Sequence, residues 1–213
     1  MEEWRGFRSV FLRIAEPQIG GGLPFLHALP AYETVQIVEK ERDKADDHRQ
    51  VSNILCTGQK PETGECMEIR EVAGTKKQYL SLLLLADEQE DMIDRYLQRG
   101  TMYVLDDGGI RGECVVTDEG TGVLEIKNIA TEPDCHGKGY GRAMIEFVAK
   151  RYAGQYSVLQ VGTGDSPLTV PFYEKCGFVR PHRIRNFFTD NYDHPVYEGG
   201  IQLVDMVYLQ KKL

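Results

Sequence analysis

Residues 123–142 read V-L-E-I-K-N-I-A-T-E-P-D-C-H-G-K-G-Y-G-R, and this stretch decides the fold. An apolar strand over 123–131 runs through a short turn into a glycine-rich loop that opens a helix near Gly139. That order sets backbone N–H groups where an anion can sit. Glycine removes the Cβ that would block close approach. The helix start adds unpaired donors and the positive end of its dipole. Two common phosphate patterns are absent. A dinucleotide fingerprint needs a third glycine where Arg142 stands, and no G-x-x-x-x-G-K-[ST] run is present. The residues alone therefore leave an anion cradle or a glycine-rich turn that merely caps a helix.

Outward from this stretch the pattern is regular. Residues 67–72 alternate as a strand. Two helices follow over 76–86 and 88–98, with stripes of Leu80, Leu83 and Leu84, then Met92, Ile93, Tyr96 and Leu97. Strands are expected over 101–105, 111–117 and 123–131, with turns at 106–109 and 118–122. On the helix over 139–152 the apolar residues are Ala143, Ile145, Phe147, Val148 and Tyr152. A buried strand over 157–162, a helix over 168–176 ended by Gly177, a strand from Phe178 and a last strand over 201–209 complete the chain. The order β-α-α-β-β-β-α-β-α-β-β predicts an α+β three-layer sandwich: a mixed, mostly antiparallel sheet with helices on both faces. Along 123–131, alternation puts Leu124, Ile126 and Asn128 on one face and Glu125, Lys127 and Ile129 on the other.

The 213 residues carry a formal charge of -8 and a pI near 5.2. That argues against a general nucleic-acid binder, which would show a basic face, and favours a cationic substrate. Five cysteines, an odd number without C-x-x-C spacing, argue against a disulfide framework or zinc site and for a reducing cytoplasm. No run of eighteen apolar residues exists, and Glu2 and Glu3 give the wrong charge for a secretory signal.

Residues 1–66 differ from the rest. Trp4, Phe7, Val10, Phe11 and Ile14 suggest a short amphipathic helix, broken by Pro17, Gly20, Gly21, Gly22 and Pro24. A charged helix is expected over 33–51, then a polar linker with Gly58, Pro61 and Gly64. The segment holds too few apolar residues for its own core. It is read as an extension that docks or stays mobile, or as residues not native to the domain, with Met67 as the natural start. N-terminal sequencing of the protein from its native source tests that expectation.

The run His136-Gly-Lys-Gly139-Tyr-Gly141-Arg resembles the pyrophosphate loop of the GNAT family of N-acetyltransferases, Gln/Arg-x-x-Gly-x-Gly/Ala. Gly139 and Gly141 match, and His136 stands where Gln or Arg is usual. F-Y-E-K-C-G-F resembles the second family signature. Tyr173, Glu174, Lys175, Gly177 and Phe178 match, whereas Ser166 and Val170 replace the usual Asn and Ala. The resemblance spans residues 67–213, whose 147 residues are a usual length for such a domain. G-T-G-D-S, N-F-F-T-D-N-Y and G-I-Q-L-V-D-M are similar to a bacterial subfamily of largely uncharacterised members.

The resemblance implies the acyl-CoA N-acyltransferase fold, acetyl-CoA as co-substrate, no metal, and direct transfer to a primary amine of a small molecule or to a lysine-like or N-terminal amine. The diphosphate would lie on the amides of Gly137, Lys138, Gly139, Tyr140, Gly141 and Arg142, with His136 beside it. The pantetheine arm would follow Ile129, Ala130 and Thr131, in a slot opened by a bulge, with Ser166 and Tyr173 as further contacts. Tyr173 would be the general acid or a core aromatic; Glu125, the base or a residue that only orders the acceptor. The segment over 186–200, with Phe187, Phe188, Tyr192, Tyr197 and Glu198, would line a pocket for a cationic amine or simply join two strands. A non-catalytic acyl-CoA-binding sensor or scaffold is the alternative, and the sheet edge leaves room for a homodimer.

Overall fold

In the computed structural model, which describes residues 67–213 and the backbone of two short strands ahead of them, β1 (Ile37–Val38) and β2 (Asn53–Leu55), the alternating pattern from Met67 onward becomes an antiparallel meander. Its strands are β3 (Glu68–Glu71), β4 (Thr101–Asp106), β5 (Ile110–Asp118) and β6 (Val123–Thr131). Between β3 and β4 a 3-10 turn over Lys76–Tyr79 leads into α1 (Leu80–Ala86), followed by α2 (Glu90–Leu97). The ammonium of Lys76 caps the end of α2, donating to the carbonyls of Leu97 at 2.9 Å and Gly100 at 2.5 Å.

After β6 the chain crosses over through α3 (Tyr140–Tyr152) to β7 (Val158–Gly164), which pairs parallel to β6. Such a crossover is what a parallel pair requires. Then come α4 (Thr169–Lys175), β8 (Val179–Ile184), α5 (Phe187–Asn191), the small hairpin β9 (Tyr197–Glu198) and β10 (Ile201–Gln202), and β11 (Met206–Lys212). β11 lies between β7 and β8, giving the order β1-β2-β3-β4-β5-β6-β7-β11-β8, with only β6 and β7 parallel.

Strand alternation divides the core. On β4, Tyr103 and Leu105 pack with Ile145, Val148 and Tyr173 of α3 and α4, while Met102 and Val104 pack with Leu83, Ile93 and Tyr96 of α1 and α2. A third cluster gathers Phe187, Phe188 and Tyr192 onto Ala86, Met92, Ala130, Met206 and Tyr208. The expected mixed sheet with helices on both faces is the observed architecture.

Four expectations need correction. Leu84 is 37% exposed, and Leu82, Leu83 and Ala86 carry the inner face of α1 instead. The last strand is not 201–209. Gly199 and Gly200, at φ 56° and 72°, turn Ile201 back onto Glu198, so β11 starts only at Met206. The segment before that hairpin contains α5, which the sequence pattern did not announce. Ile129 sits with Leu124 and Ile126 rather than across from them, for a reason given below. The helix expected over 33–51 falls outside the described residues except at Ile37–Val38, which is strand. The helix expected near residues 4–14 lies wholly outside them.

Candidate active site

β6 and β7 pair from Val123 with Val158 to Ile126 with Val161, and the ladder then stops. The cause is a bulge. Ile126 and Asn128 pair with consecutive β5 residues, Val116 and Val115, leaving Lys127 as an extra residue. The bulge shifts the alternation by one, which brings Ile129 to the α3 face. It also ends the parallel pairing. Beyond it, residues 127–131 of β6 and 162–164 of β7 have no ladder between them, and their main-chain groups border a slot. Ile129, Ala130 and Thr131 all lie on that stretch and are buried.

The slot leads to the glycine loop. A 3-10 turn over Pro133–Cys135 folds the chain back, and a ring nitrogen of His136 (Nε2) lies 3.2 Å from the Thr131 carbonyl. Gly137 and Gly139 have φ of 77° and 90°, a region only glycine enters readily. The first helical bond runs from Ala143 N–H to the Gly139 carbonyl at 3.0 Å. The N–H groups of Gly137, Gly139, Tyr140, Gly141 and Arg142 consequently make no hydrogen bond among the described residues. Five such donors at the start of a thirteen-residue helix form a receptor for an anion. The side chains here mostly brace the loop. The Tyr140 hydroxyl donates to Asp107, a bond that together with burial pushes its pKa up to about 12. Arg142 donates to the Lys175 carbonyl at 3.1 Å, tying α3 to α4, and Lys138 is exposed.

Tyr173, on α4, packs edge-on against Phe172 and Phe178 in the core. Its ring is fully buried, yet its hydroxyl has no hydrogen-bond partner among the described residues. Burial pushes its pKa well up, and the nearby Cys114, Cys176, Glu198 and Glu113 add to the effect. Such a hydroxyl stays protonated and keeps a proton to give. Ser166 is used locally: its Oγ accepts from Leu168 N–H at 3.1 Å where α4 begins.

Glu125 lies below the slot, where β6 and β7 still pair. One carboxylate oxygen is taken by the buried Lys127 ammonium and the other accepts from Gln160 at 2.8 Å. Lys127 also reaches Glu119, which Arg99 holds at 2.9 Å. Gln160 continues the row to Gln210.

Several buried polar groups, most of them on the α1 and α2 side, lack partners among the described residues. They are Asp87 Oδ2, both oxygens of Glu113, Asn128 Oδ1, Thr163 Oγ1 and Glu198 Oε2. Asn128 spends its amide hydrogens on the Leu83 carbonyl at 3.0 Å and the Tyr96 hydroxyl at 2.8 Å. Burial raises Asp87 to about 7. Glu198 accepts from Thr169, and its neighbour Tyr197 points outward, 53% exposed. The segment carrying Glu198 is tied to the α1–α2 connection by Gln89 to Asp193 at 2.8 Å and His194 to Glu88 at 3.4 Å. Asp87 and Glu113 were missed in sequence. The available signal was an acid enclosed by apolar residues, as in Gly112-Glu-Cys-Val-Val116. Among the described residues no group of three or more His, Cys, Asp or Glu could hold a metal ion, and no helix is long and apolar enough to cross a membrane.

Residues 98–180 match the family model of the acetyltransferase (GNAT) domain. A protein of Bacillus subtilis (strain 168), the uncharacterized N-acetyltransferase YvbK, is 34% identical over 138 residues, 63% of this chain and 89% of its own length. A GNAT family acetyltransferase from Elizabethkingia anophelis, solved with acetyl-CoA bound, superposes with a TM-score of 0.65 at 35% identity. The match covers 69% of this chain and 98% of that one. A Bacillus subtilis acetyltransferase in complex with CoA superposes with a TM-score of 0.64 at 33% identity, covering 69% and 99%.

Proposed function

The chain belongs to the GNAT acetyltransferase family, and from that premise we propose that it transfers an acetyl group from acetyl-CoA directly to a primary amine. The observation that carries this reading is the row of five N–H groups at the start of α3 that make no hydrogen bond among the described residues, next to the stretch where β6 and β7 part.

Acetyl-CoA supplies an acetyl group activated as a thioester. The amides of Gly137, Gly139, Tyr140, Gly141 and Arg142 would take its diphosphate, with His136 and Lys138 adding charge or contact at the rim. The unpaired edge at Ile129, Ala130 and Thr131 would receive the pantetheine arm as an added strand, and a β6 N–H would polarise the thioester carbonyl. Ser166, holding the start of α4, keeps Tyr173 in position and retains its own hydroxyl hydrogen for the cofactor. Tyr173 would donate its proton to the departing sulfur; its burial suits that role because it suppresses the tyrosinate form. Glu125, held by Lys127 and Gln160, would order the acceptor side of the slot.

The acceptor is a small-molecule amine or a lysine-like or N-terminal amine. Supporting a cationic acceptor are Glu198, whose second oxygen is unpartnered, and the aromatic cluster of Phe187, Phe188 and Tyr192. A panel of amines assayed for thiol release, with wild type and Tyr173→Phe, tests the reading. Turnover by wild type that collapses in Tyr173→Phe, with acetyl-CoA affinity retained, supports it. Acetyl-CoA binding without turnover on any amine would instead favour a non-catalytic acyl-CoA-binding protein.

A further inference from the structure

We propose that Glu113 is the base of the reaction: the acceptor's ammonium docks against its carboxylate and gives it a proton before attack. The inference rests on the acetyltransferase reading above and adds to it the proton acceptor that the signature motifs do not contain.

Glu113 is at the middle of β5, directly across the strand pair from Ala130 on the border of the slot. Its side chain is fully buried, and among the described residues it makes neither a hydrogen bond nor an ion pair. Native folds rarely leave a carboxylate in that condition unless a ligand completes it. Ala130, directly opposite, sets only a methyl group beside it on the β6 stretch that borders the slot. Burial pushes the pKa of Tyr96 and of Tyr173 up, and the charge of Glu113 adds to both shifts. The titratable groups around Glu113 are Tyr96 on the same face of the sheet and Cys114 and Tyr173 on the opposite face, with Asp87 and Tyr192 further around Tyr96 and Glu198 beyond Tyr173. No lysine or arginine appears among them. Burial raises its proton affinity strongly, and the neighbouring Ala130 amide offsets this only in part. A carboxylate so placed attracts a cation and keeps the proton it receives.

Glu125 is the contrasting acid. Both its oxygens are engaged, by Lys127 and by Gln160. An incoming ammonium would have to compete with a resident one there, whereas at Glu113 it meets none.

The step balances as follows. Glu113 removes one proton from R–NH3+ and leaves R–NH2. The nitrogen lone pair attacks the thioester carbon, a C–N bond forms and the C–S bond breaks. Tyr173 gives its proton to sulfur and is restored by the second proton leaving nitrogen. Glu113 releases its proton to solvent, so the amide, the thiol and one proton are the products.

The test uses the full chain, acetyl-CoA as donor and the best amine of the panel, with kcat/KM for the amine followed against pH. Wild type should level off once Glu113 has lost its proton. Glu113→Gln, which keeps the size and removes the charge, should lose about 100-fold at neutral pH. Its rate should keep rising about tenfold per pH unit toward the amine's own pKa, because only amine already neutral in solution can react. Acetyl-CoA affinity should stay within about twofold and the melting temperature should not fall. Glu113→Asp, keeping the carboxylate on a shorter arm, should recover part of the rate and the wild-type profile. Glu125→Gln should keep that profile whatever its rate. An active wild type with an indifferent Glu113→Gln, or a steepened profile in Glu125→Gln instead, overturns the inference alone. A wild type that binds acetyl-CoA yet acetylates no amine overturns both the inference and the acetyltransferase reading.

Discussion

The two sides of the slot are built from different materials. On the α3 side the working groups are main-chain N–H donors, held by Gly137, Gly139 and the helix start, and the surrounding side chains are mutually satisfied. On the α1, α2 and α5 side the working groups are side chains from several elements: Asp87, Glu113, Asn128 and Glu198, each with a buried oxygen left unpartnered. The first side is suited to a ligand that never changes, and the second to one that can differ between relatives by exchange of a few residues. On the proposed reading the diphosphate end of the donor would take the first side and the amine the second.

Each substitution below should disturb one side and spare the other. The largest effect is expected from Tyr173→Phe, which removes the proposed proton donor. kcat should fall about 100-fold or more with acetyl-CoA affinity unchanged, as read by thiol release and calorimetry. A loss of affinity instead would make Tyr173 a packing residue. Next, Gly139→Val forces a β-branched residue to φ 90° and sets a side chain against the amide row. The dissociation constant for CoA should rise about tenfold or more, while the KM of the amine stays near its wild-type value.

Asp87 offers a purely thermodynamic test. Its pKa is about 7 in the fold against 3.8 unperturbed, because burial penalises the charge. Between those values the native protein binds more protons than the unfolded chain. Stability therefore falls as pH rises from about 4 to 7, and the loss is complete above pH 7. The shift corresponds to a penalty on the order of 4 kcal/mol. That is large beside the roughly 5–15 kcal/mol by which domains are stable. Asp87→Asn should raise the melting temperature at pH 8 and flatten its decline between pH 4 and 7. A variant less stable than wild type at pH 8 would mean that Asp87 is compensated after all. A penalty of this size is what a binding side carries when it awaits a cation.

Smaller effects should separate neighbours. Glu198→Gln should raise the amine KM several-fold and leave acetyl-CoA alone. Tyr197→Ala, one residue away with its ring in solvent, should change little. Equal effects from both would contradict the inward and outward assignment of β9.

The same contrast explains what could be read in advance. The α3 side is one contiguous run, strand, loop and helix start, so its geometry follows from residues 123–142 in order. The other side is assembled across the sheet. Asp87 and Glu113 are distant in sequence, and the one local signal, an acid among apolar neighbours, does not bring them together. The resemblance implies a bulge in this strand, but its position at Lys127 is hidden because Leu124, Ile126 and Asn128 alternate as in an unbroken strand, and only the pairing with β5 reveals the extra residue. α5 has five residues, too few for a helical period, and is preceded by Asn186 at φ 56°. The span 201–209 looked like one strand because Ile201, Leu203 and Val207 are apolar. The Gly199–Gly200 turn divides it, and Leu203 closes the α5 cluster instead.

The central claim is that main-chain nitrogens around Gly139 hold the diphosphate and so aim a thioester into the slot between β6 and β7. A crystal structure with CoA tests it most directly. The diphosphate should lie within hydrogen-bonding distance of the N–H groups of Gly137, Gly139, Tyr140, Gly141 and Arg142, with the thiol pointing toward Tyr173. A diphosphate bound elsewhere, or those N–H groups turned inward onto protein carbonyls, would contradict it.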